Sequence, residues 1–291
     1  MNYRHAYHAG NFADVAKHII VTRIVEYLKQ KDKAFRVIDT HAGIGIYDLT
    51  GAEAQKTGEW QGGADKVLAA DLGPKITPLV APWLNIVRSV NSDASLKKYP
   101  GSPKLIRMLL RKQDRLTAIE LHPDDARKLS GHFAGDYQTR VIELDGWLAL
   151  GAQLPPKEKR GMVLVDPPFE ERDEFDRLVD GLIKAHHRWP SGIYALWYPI
   201  KDRKELNLFH KRLKNSGIGK ILNAELVVRT LAPDTGLAGT GMIIVNPPYT
   251  LEAELKLIFP KLIDLMKQDQ NPYWAVEWLA GETATEKLDQ D

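Results

Sequence analysis

Two short stretches of this chain carry nearly the same residues: LVDPPFEE at 164–171 and IVNPPYT at 244–250. Each is an apolar run, an Asp or Asn, two prolines and an aromatic. The chemistry that suits this group is methylation of an amine whose lone pair is delocalised, such as the exocyclic nitrogen of adenine. A carboxylate (Asp166) and a backbone carbonyl (Pro167) can both accept hydrogen bonds from that amino group. Together they turn its lone pair toward a methyl donor and stabilise positive charge as it develops. Pro168 stiffens the turn, and Phe169 offers a ring face for an unstacked base. Taken alone, Asp-Pro-Pro after a strand does no more than end it. Two copies are also one too many for a single site, so position must decide between them.

Position follows from the elements that carry the motifs. AFRVIDT (34–40), RLTAIELHP (115–123), TRVIELDG (139–146), GMVLVDPP (161–168) and GIYALWYP (192–199) are short runs of β-branched and aliphatic residues, the first four with an acid near the end. Segments with helical spacing separate them, at 123–133, 171–187 and 201–215, and an N-terminal helix is expected over 12–30. This alternation predicts a parallel sheet covered on both faces. Ligands in such folds sit outside the carboxyl ends of the strands. Asp39, His41, Glu120, Asp145 and Asp166 all fall there. ELVVRT (225–230) and GMIIV (241–245) supply strands six and seven. The ten or so residues between them are too few for a parallel crossover, so strand seven is expected to be antiparallel. Asn246 then lies at the far edge and Asp166 at the ligand edge. DPPF is the catalytic candidate.

The turn after the first strand, DTHAGIGIYD, has Gly43 and Gly45 for close approach of backbone to a ligand. A dinucleotide fingerprint wants a third glycine where Asp48 stands, which counts against NAD. Glu120 is placed to accept from ribose hydroxyls, although it lies 77 positions after Gly43 (120 − 43) instead of about 20. The segment 46–114 explains the gap as a mostly helical insertion within a domain formed by 1–45 and 115–291. Asp145-Gly146 could take the adenine end of a nucleoside cofactor. One isolated acid is weak evidence, but four in register at strand ends indicate a nucleoside-binding fold.

The order of these features resembles the class I S-adenosylmethionine-dependent methyltransferases: a Rossmann-like seven-stranded α/β sheet with the last strand antiparallel. More narrowly, YRHAYHAGNFADVAKH (3–18), DTHAG (39–43), YPGSP (99–103), ELHP (120–123), LDG (144–146), VDPPFE (165–170) and LWYPIK (196–201) resemble the bacterial large-subunit ribosomal RNA adenine-N6 methyltransferases of the J family. The match runs from Tyr3 to about Thr250. The family carries Tyr after the prolines where this chain has Phe169, so the ring face is kept and a hydroxyl contact is lost. The resemblance implies S-adenosylmethionine contacts at His18, His41, Ser102, Glu120, Asp145, Gly146 and Asp166. It further implies Asp166 as the catalytic acceptor, with Tyr3 meeting the RNA substrate, 23S rRNA. On their own, His18 reads as a core histidine and Ser102 as a turn serine. Trp197 and Tyr198 could flank the base or pack in the core.

Bulk properties set the remaining bounds. A chain of 291 residues, 44% hydrophobic and with net charge +2, is ordinary for a soluble enzyme. With no cysteine, disulfides and thiolate metal sites are excluded, and a cytoplasmic location is expected. The HxxH at His5 and His8 lacks further ligands, so no metal is expected. No membrane span is expected either, and nothing resembles a dedicated dimer surface, which favours a monomer. Two segments, Lys97–Arg115 and Lys201–Lys220, each hold seven Lys/Arg. They are solvated helix faces or phosphate-contacting surfaces, and their number favours the second. Rival functions keep the fold: methylation of DNA adenine, methylation of a protein glutamine if NPPY were the working copy, or an idle RNA-binding module.

Overall fold

Asn11 begins the first helix by accepting from the amides of Ala13 (2.9 Å) and Asp14 (3.0 Å), an N-cap that fixes where the N-terminal segment turns inward. The helix, α1 (Phe12–Lys29), is buried on nearly all sides, and it is followed by β1 (Arg36–Asp39), β2 (Ile46–Asp48), α2 (Ala52–Thr57), α3 (Lys66–Ala69) and α4 (Gly73–Ser89). Next come β3 (Lys98–Pro100), α5 (Ser102–Leu109), β4 (Arg115–Glu120), α6 (Pro123–His132), β5 (Thr139–Glu143) and α7 (Gly146–Ala152). The remainder is β6 (Gly161–Val165), α8 (Glu174–Arg188), β7 (Ile193–Ile200), α9 (Arg203–Lys214), β8 (Ile221–Val227), β9 (Gly239–Val245), α10 (Leu251–Met266) and β10 (Tyr273–Ala280). The computed structural model describes residues 4–93, 95–171, 173–232 and 236–281.

Among the described residues the main sheet has eight strands in the order β10-β8-β9-β7-β6-β1-β4-β5. The five strands from β7 to β5 are parallel, and β9 runs antiparallel to both β7 and β8. The α/β architecture and the antiparallel insertion of GMIIV thus agree with the sequence reading. The strand count does not: eight, where seven were expected. The extra strand, β10, pairs antiparallel with β8, so the chain returns to the sheet after its last helix. The sixth strand also starts four residues earlier than expected, at Ile221. Asn223 is buried there by a 2.6 Å hydrogen bond from Tyr198, which lets a polar residue sit mid-strand.

Two apolar clusters cover the two faces of the sheet. One gathers α1, α4, α5 and α10, the other α7, α8 and α9. Segment 46–109 packs into the first cluster through Val80, Trp83, Val87 and Tyr99. Its ends are joined: β2 pairs with β3, and the Gly101 amide donates to the Gly45 carbonyl at 2.9 Å. The two ends of the segment therefore meet just above the end of β1, and α5 then leads the chain back to the start of β4.

Candidate functional site

A cavity of about 700 Å³ opens at the carboxyl ends of β1, β4 and β6. His18, His41, Ser102, Glu120, Asp145, Gly146, Asp166 and Pro167 all line it, from six different elements or the turns that follow them. Phe169 lies just outside, and Tyr3 lies outside the described residues.

The polar side chains His18, His41, Glu120, Asp145 and Asp166 are each held by a specific partner. Glu120 accepts from the Gly43 amide (2.8 Å) on one oxygen and from the His122 amide (2.9 Å) on the other, so two backbone donors fix its orientation. Gly43 adopts φ +61°, and a Cβ there would stand 2.2 Å from the Tyr47 hydroxyl. Asp145 caps α7 by accepting from Trp147 N at 2.9 Å with one oxygen, leaving the other for a ligand. The His18 ring stacks on Tyr99 and hydrogen-bonds its hydroxyl through Nδ1 at 3.0 Å. Burial pushes the His18 imidazole down to about 3, so it is neutral at physiological pH. His41 is depressed to about 3 as well, first by burial and then by the Arg177 charge. Thr40 spends its hydroxyl proton on the Leu164 carbonyl (3.0 Å), so at 2.8 Å it must accept from His41 Nδ1. His41 Nε2 is thereby left as an acceptor.

Gly146 allows this arrangement by its lack of a side chain. A Cβ there would meet the Thr40 carbonyl at 2.3 Å and the His41 ring at 2.8 Å. Gly146→Ala is therefore expected to cost about 1–3 kcal/mol of stability through overpacking. A urea melt reads this directly, and an unchanged midpoint would show that the backbone yields without penalty.

Asp166 is the centre of the polar side. Its Oδ2 accepts from Lys17 Nζ at 2.5 Å, and the same ammonium contacts Asp14 Oδ1 at 2.9 Å. Asp14 Oδ2 in turn accepts from His5 Nε2 and the Gly10 amide, both at 2.9 Å. Burial opposes the charge on both Lys17 and Asp14, but opposite charges outweigh it: Asp14 and Asp166 raise the ammonium, and His5 followed by Lys17 hold the Asp14 carboxyl well below its usual range. This ion chain from the N-terminal segment to the catalytic candidate was missed in the sequence. Its signal was present: Asp14 and Lys17, one turn apart, are charged residues inside a helix that otherwise reads as core.

Asp39, at the end of β1, is fully buried, and neither carboxylate oxygen has a well-formed hydrogen bond. Burial pushes its carboxyl from 3.8 to about 7, with the nearby Ser102 hydroxyl opposing and Asp166 reinforcing. The folded chain therefore holds a proton that the unfolded chain releases. The resulting stability is complete below the unfolded value near 3.8 and is lost as pH rises through about 7. Asp39→Asn should consequently become more stable relative to the parent as pH rises from 4 to 8. The upper limit is about 4 kcal/mol, from about three pH units at 1.36 kcal/mol each. Parallel melting curves across that pH range would reject this if the difference stayed constant.

Phe169 sits at φ +52°, an unusual backbone state for a bulky residue. Its ring packs edge-on against Phe175 (4.9 Å) and Trp197 (5.7 Å). Trp197 also donates to Thr240 Oγ1 at 2.7 Å, and Lys17 Nζ lies 5.9 Å from its ring centre. Tyr198, in contrast, is fully buried and hydrogen-bonds Asn223 and Glu225, so it packs in the core. Asn246 stands at the opposite edge of the sheet. Its amide nitrogen donates to the carbonyls of Pro190 and Gly192, both at 2.8 Å, just before β7 begins.

Within the two basic segments the arginines are mostly occupied by acids. Arg107 pairs with Asp136, Arg111 with Asp114, Arg203 with Glu225, and Arg212 with Asp176 and Asp180. The exposed lysines of these segments, among them Lys98, Lys112, Lys204 and Lys211, are the part that could still meet phosphates. His5 and His8 hydrogen-bond Asp14 and Glu59 respectively. Among the described residues no group of three or more His, Asp or Glu is arranged to hold a metal, and no helix is long and apolar enough to cross a membrane.

Comparison with known proteins adds four findings. A family model described as ribosomal RNA large subunit methyltransferase D, RlmJ, matches residues 32–280. Ribosomal RNA large subunit methyltransferase J of Escherichia coli K12 is 39% identical over 282 residues, covering 97% of this chain and all of that protein. The protein of the same name from Haemophilus influenzae is 39% identical over 284 residues with the same coverage. Among solved structures, protein LPL1258 of Legionella pneumophila superposes with a TM-score of 0.84 at 32% identity, over 93% of this chain and 98% of that one.

Proposed function

The chain belongs to the ribosomal RNA large subunit methyltransferase RlmJ family, and from that premise we propose that it methylates the N6 amine of an adenine in 23S ribosomal RNA, using S-adenosylmethionine. The observation that carries this reading is the placement of Asp166. It stands at the end of β6 on the cavity wall with one oxygen tied to Lys17, while its near-twin Asn246 is spent on the far edge.

The residues present fit the cofactor. The cavity volume is in the range of small-molecule sites, and its carboxylates suit a ligand bearing ammonium and sulfonium charges. Glu120, pre-oriented by two amides, would take the ribose hydroxyls. Asp145 and Gly146 would meet the adenine end, and His18, His41 and Ser102 the remainder. Bound there, the cofactor supplies an electrophilic methyl group.

The chain does the rest. Lys17 fixes one oxygen of Asp166. The other is left to accept from the N6–H of the target base, together with the Pro167 carbonyl. This aligns the amine lone pair and stabilises the developing positive charge. Asp166 is also the group placed to take the proton that the nitrogen sheds. Phe169 and Trp197 give the extruded base an aromatic wall. Tyr3 would contact the RNA from the N-terminal segment. Residues 46–114 act as a subdomain inserted in the domain formed by 1–45 and 115–291, and they supply the Ser102 side of the cavity.

A substrate panel tests the reading. Methyl-labelled S-adenosylmethionine is incubated with the protein and, separately, with deproteinised 23S rRNA, genomic DNA and total cell protein. Label is expected in the RNA alone. Label in DNA or protein would reject the substrate, and no label anywhere would reject catalysis.

A further inference from the structure

We propose that the edge of the sheet remote from the cavity is an anchoring surface for the phosphate backbone of RNA, an inference that rests on the RNA methyltransferase reading above. Strands β6, β1 and β4 are neighbours, and Arg36 is in register with both Arg115 and Gly161. The loops that precede these strands therefore lie side by side at the end opposite the site. Two arginines bind them together. Arg111 donates to the carbonyls of Lys29 (3.1 Å), Lys31 (2.9 Å) and Lys33 (3.3 Å), and Arg160 to those of Leu28 (2.5 Å) and Lys33 (2.9 Å). Both guanidinium groups also lie 5.7 Å from the Phe35 ring centre.

These two arginines already satisfy the carbonyl end of α1, so further positive charge is not needed to complement that helix. Five more lysines surround them: Lys31, Lys33, Lys112, Lys157 and Lys159. All five are exposed, and none makes an ion pair among the described residues. Of the acids in the same loops, Asp114 is buried against Arg111 and Glu158 is paired with Arg36, which leaves Asp32 as the exposed one.

The cavity end has the opposite character. Ten carboxylates line it against four Lys/Arg, of which Lys17 is consumed internally. A chain with net charge +2 is thus strongly polarised: acidic where a cationic cofactor would enter, basic at the far edge. Phosphates would meet net repulsion at this acidic lining, so cationic groups beyond it are needed to hold a polyanion. Flexible lysines without a fixed geometry suit phosphates as point charges and read no sequence. The two ends are separated by the strand length plus loops, on the order of 25 Å. The partner is accordingly a folded RNA large enough to reach both.

The test replaces Lys31, Lys33, Lys112, Lys157 and Lys159 by Gln. A control of equal charge replaces Lys66, Lys75, Lys184, Lys256 and Lys267 by Gln. Binding to deproteinised 23S rRNA is measured by filter retention between roughly 50 and 300 mM salt, a span over which phosphate contacts weaken measurably. The edge variant should bind about tenfold or more weakly, and its log–log salt slope should shrink by about 2–4, at 0.7–0.9 for each lost phosphate contact. Its kcat at saturating RNA should match the parent, and the control should bind within about threefold of it. Unchanged affinity in the edge variant, or an equal loss in the control, would overturn the proposal. Methyl transfer by the unaltered protein is scored separately, so a failed function and a failed anchor give different results.

Discussion

Asp166→Asn is expected to leave the fold intact while lowering kcat on the order of 10³-fold, the scale seen when one preorganised electrostatic partner of a transition state is lost. Asn keeps the shape but presents no negative charge to the amine as its nitrogen becomes positive. Lys17 retains Asp14 as a partner at 2.9 Å, so the buried ammonium is not stranded. Asn246→Ala forms the opposite case. Its donor bonds to Pro190 and Gly192 tie the end of β9 to the start of β7. Their loss should cost about 1–2 kcal/mol of stability while kcat stays within a factor of about two. Calorimetry with S-adenosylmethionine separates binding from turnover in both variants. A variant at 246 that folds but is inactive, beside an active variant at 166, would show that the wrong proline motif has been chosen.

Lys17→Met should have the second-largest effect, in both stability and rate. The ammonium lies between two carboxylates in a buried site, and its removal leaves Asp14 and Asp166 without the cation they share. Breaking such a buried set by deleting one partner costs about 3–5 kcal/mol. The rate should fall about 10²-fold or more, because Asp166 loses the contact that fixes one of its oxygens. Arg is not expected to rescue the site: its planar fork cannot take the place of a compact ammonium between two acceptors. If Lys17 works through Asp166, the double variant with Asp166→Asn should be no slower than Asp166→Asn alone. Multiplicative losses would assign Lys17 a separate role.

Much of the architecture was legible because the strands announce themselves. RVID, RLTAIE and GMVLV are buried or nearly so on both faces, and such strands read as continuous apolar runs. The choice between DPPF and NPPY rested on a link too short for a parallel crossover, and β9 does run antiparallel. The edge strand was overlooked because YWAVEWLA follows a helix near the chain end, where alternation with exposed Glu277 and Trp278 looks like a tail. Counting charges along the chain located the basic segments but not what each side chain faces. Arg107 and Arg111 point to acids, whereas the lysines at the far edge, Lys112 among them, come from three loops far apart in sequence. The relay through Lys17 was hidden for the same reason, since Asp166 lies 149 positions away from it. Tyr99, which positions His18 across 81 residues, gave no sign of that role.

The most direct measurement is the identity of the product nucleoside. Deproteinised 23S rRNA is methylated with labelled S-adenosylmethionine, digested to nucleosides and resolved against standards, with Asp166→Asn run beside the parent. Label in N6-methyladenosine from the parent, absent from the variant, is the expected result. Label in any other nucleoside, or N6-methyladenosine formed equally by Asp166→Asn, would contradict an amine methylation centred on Asp166.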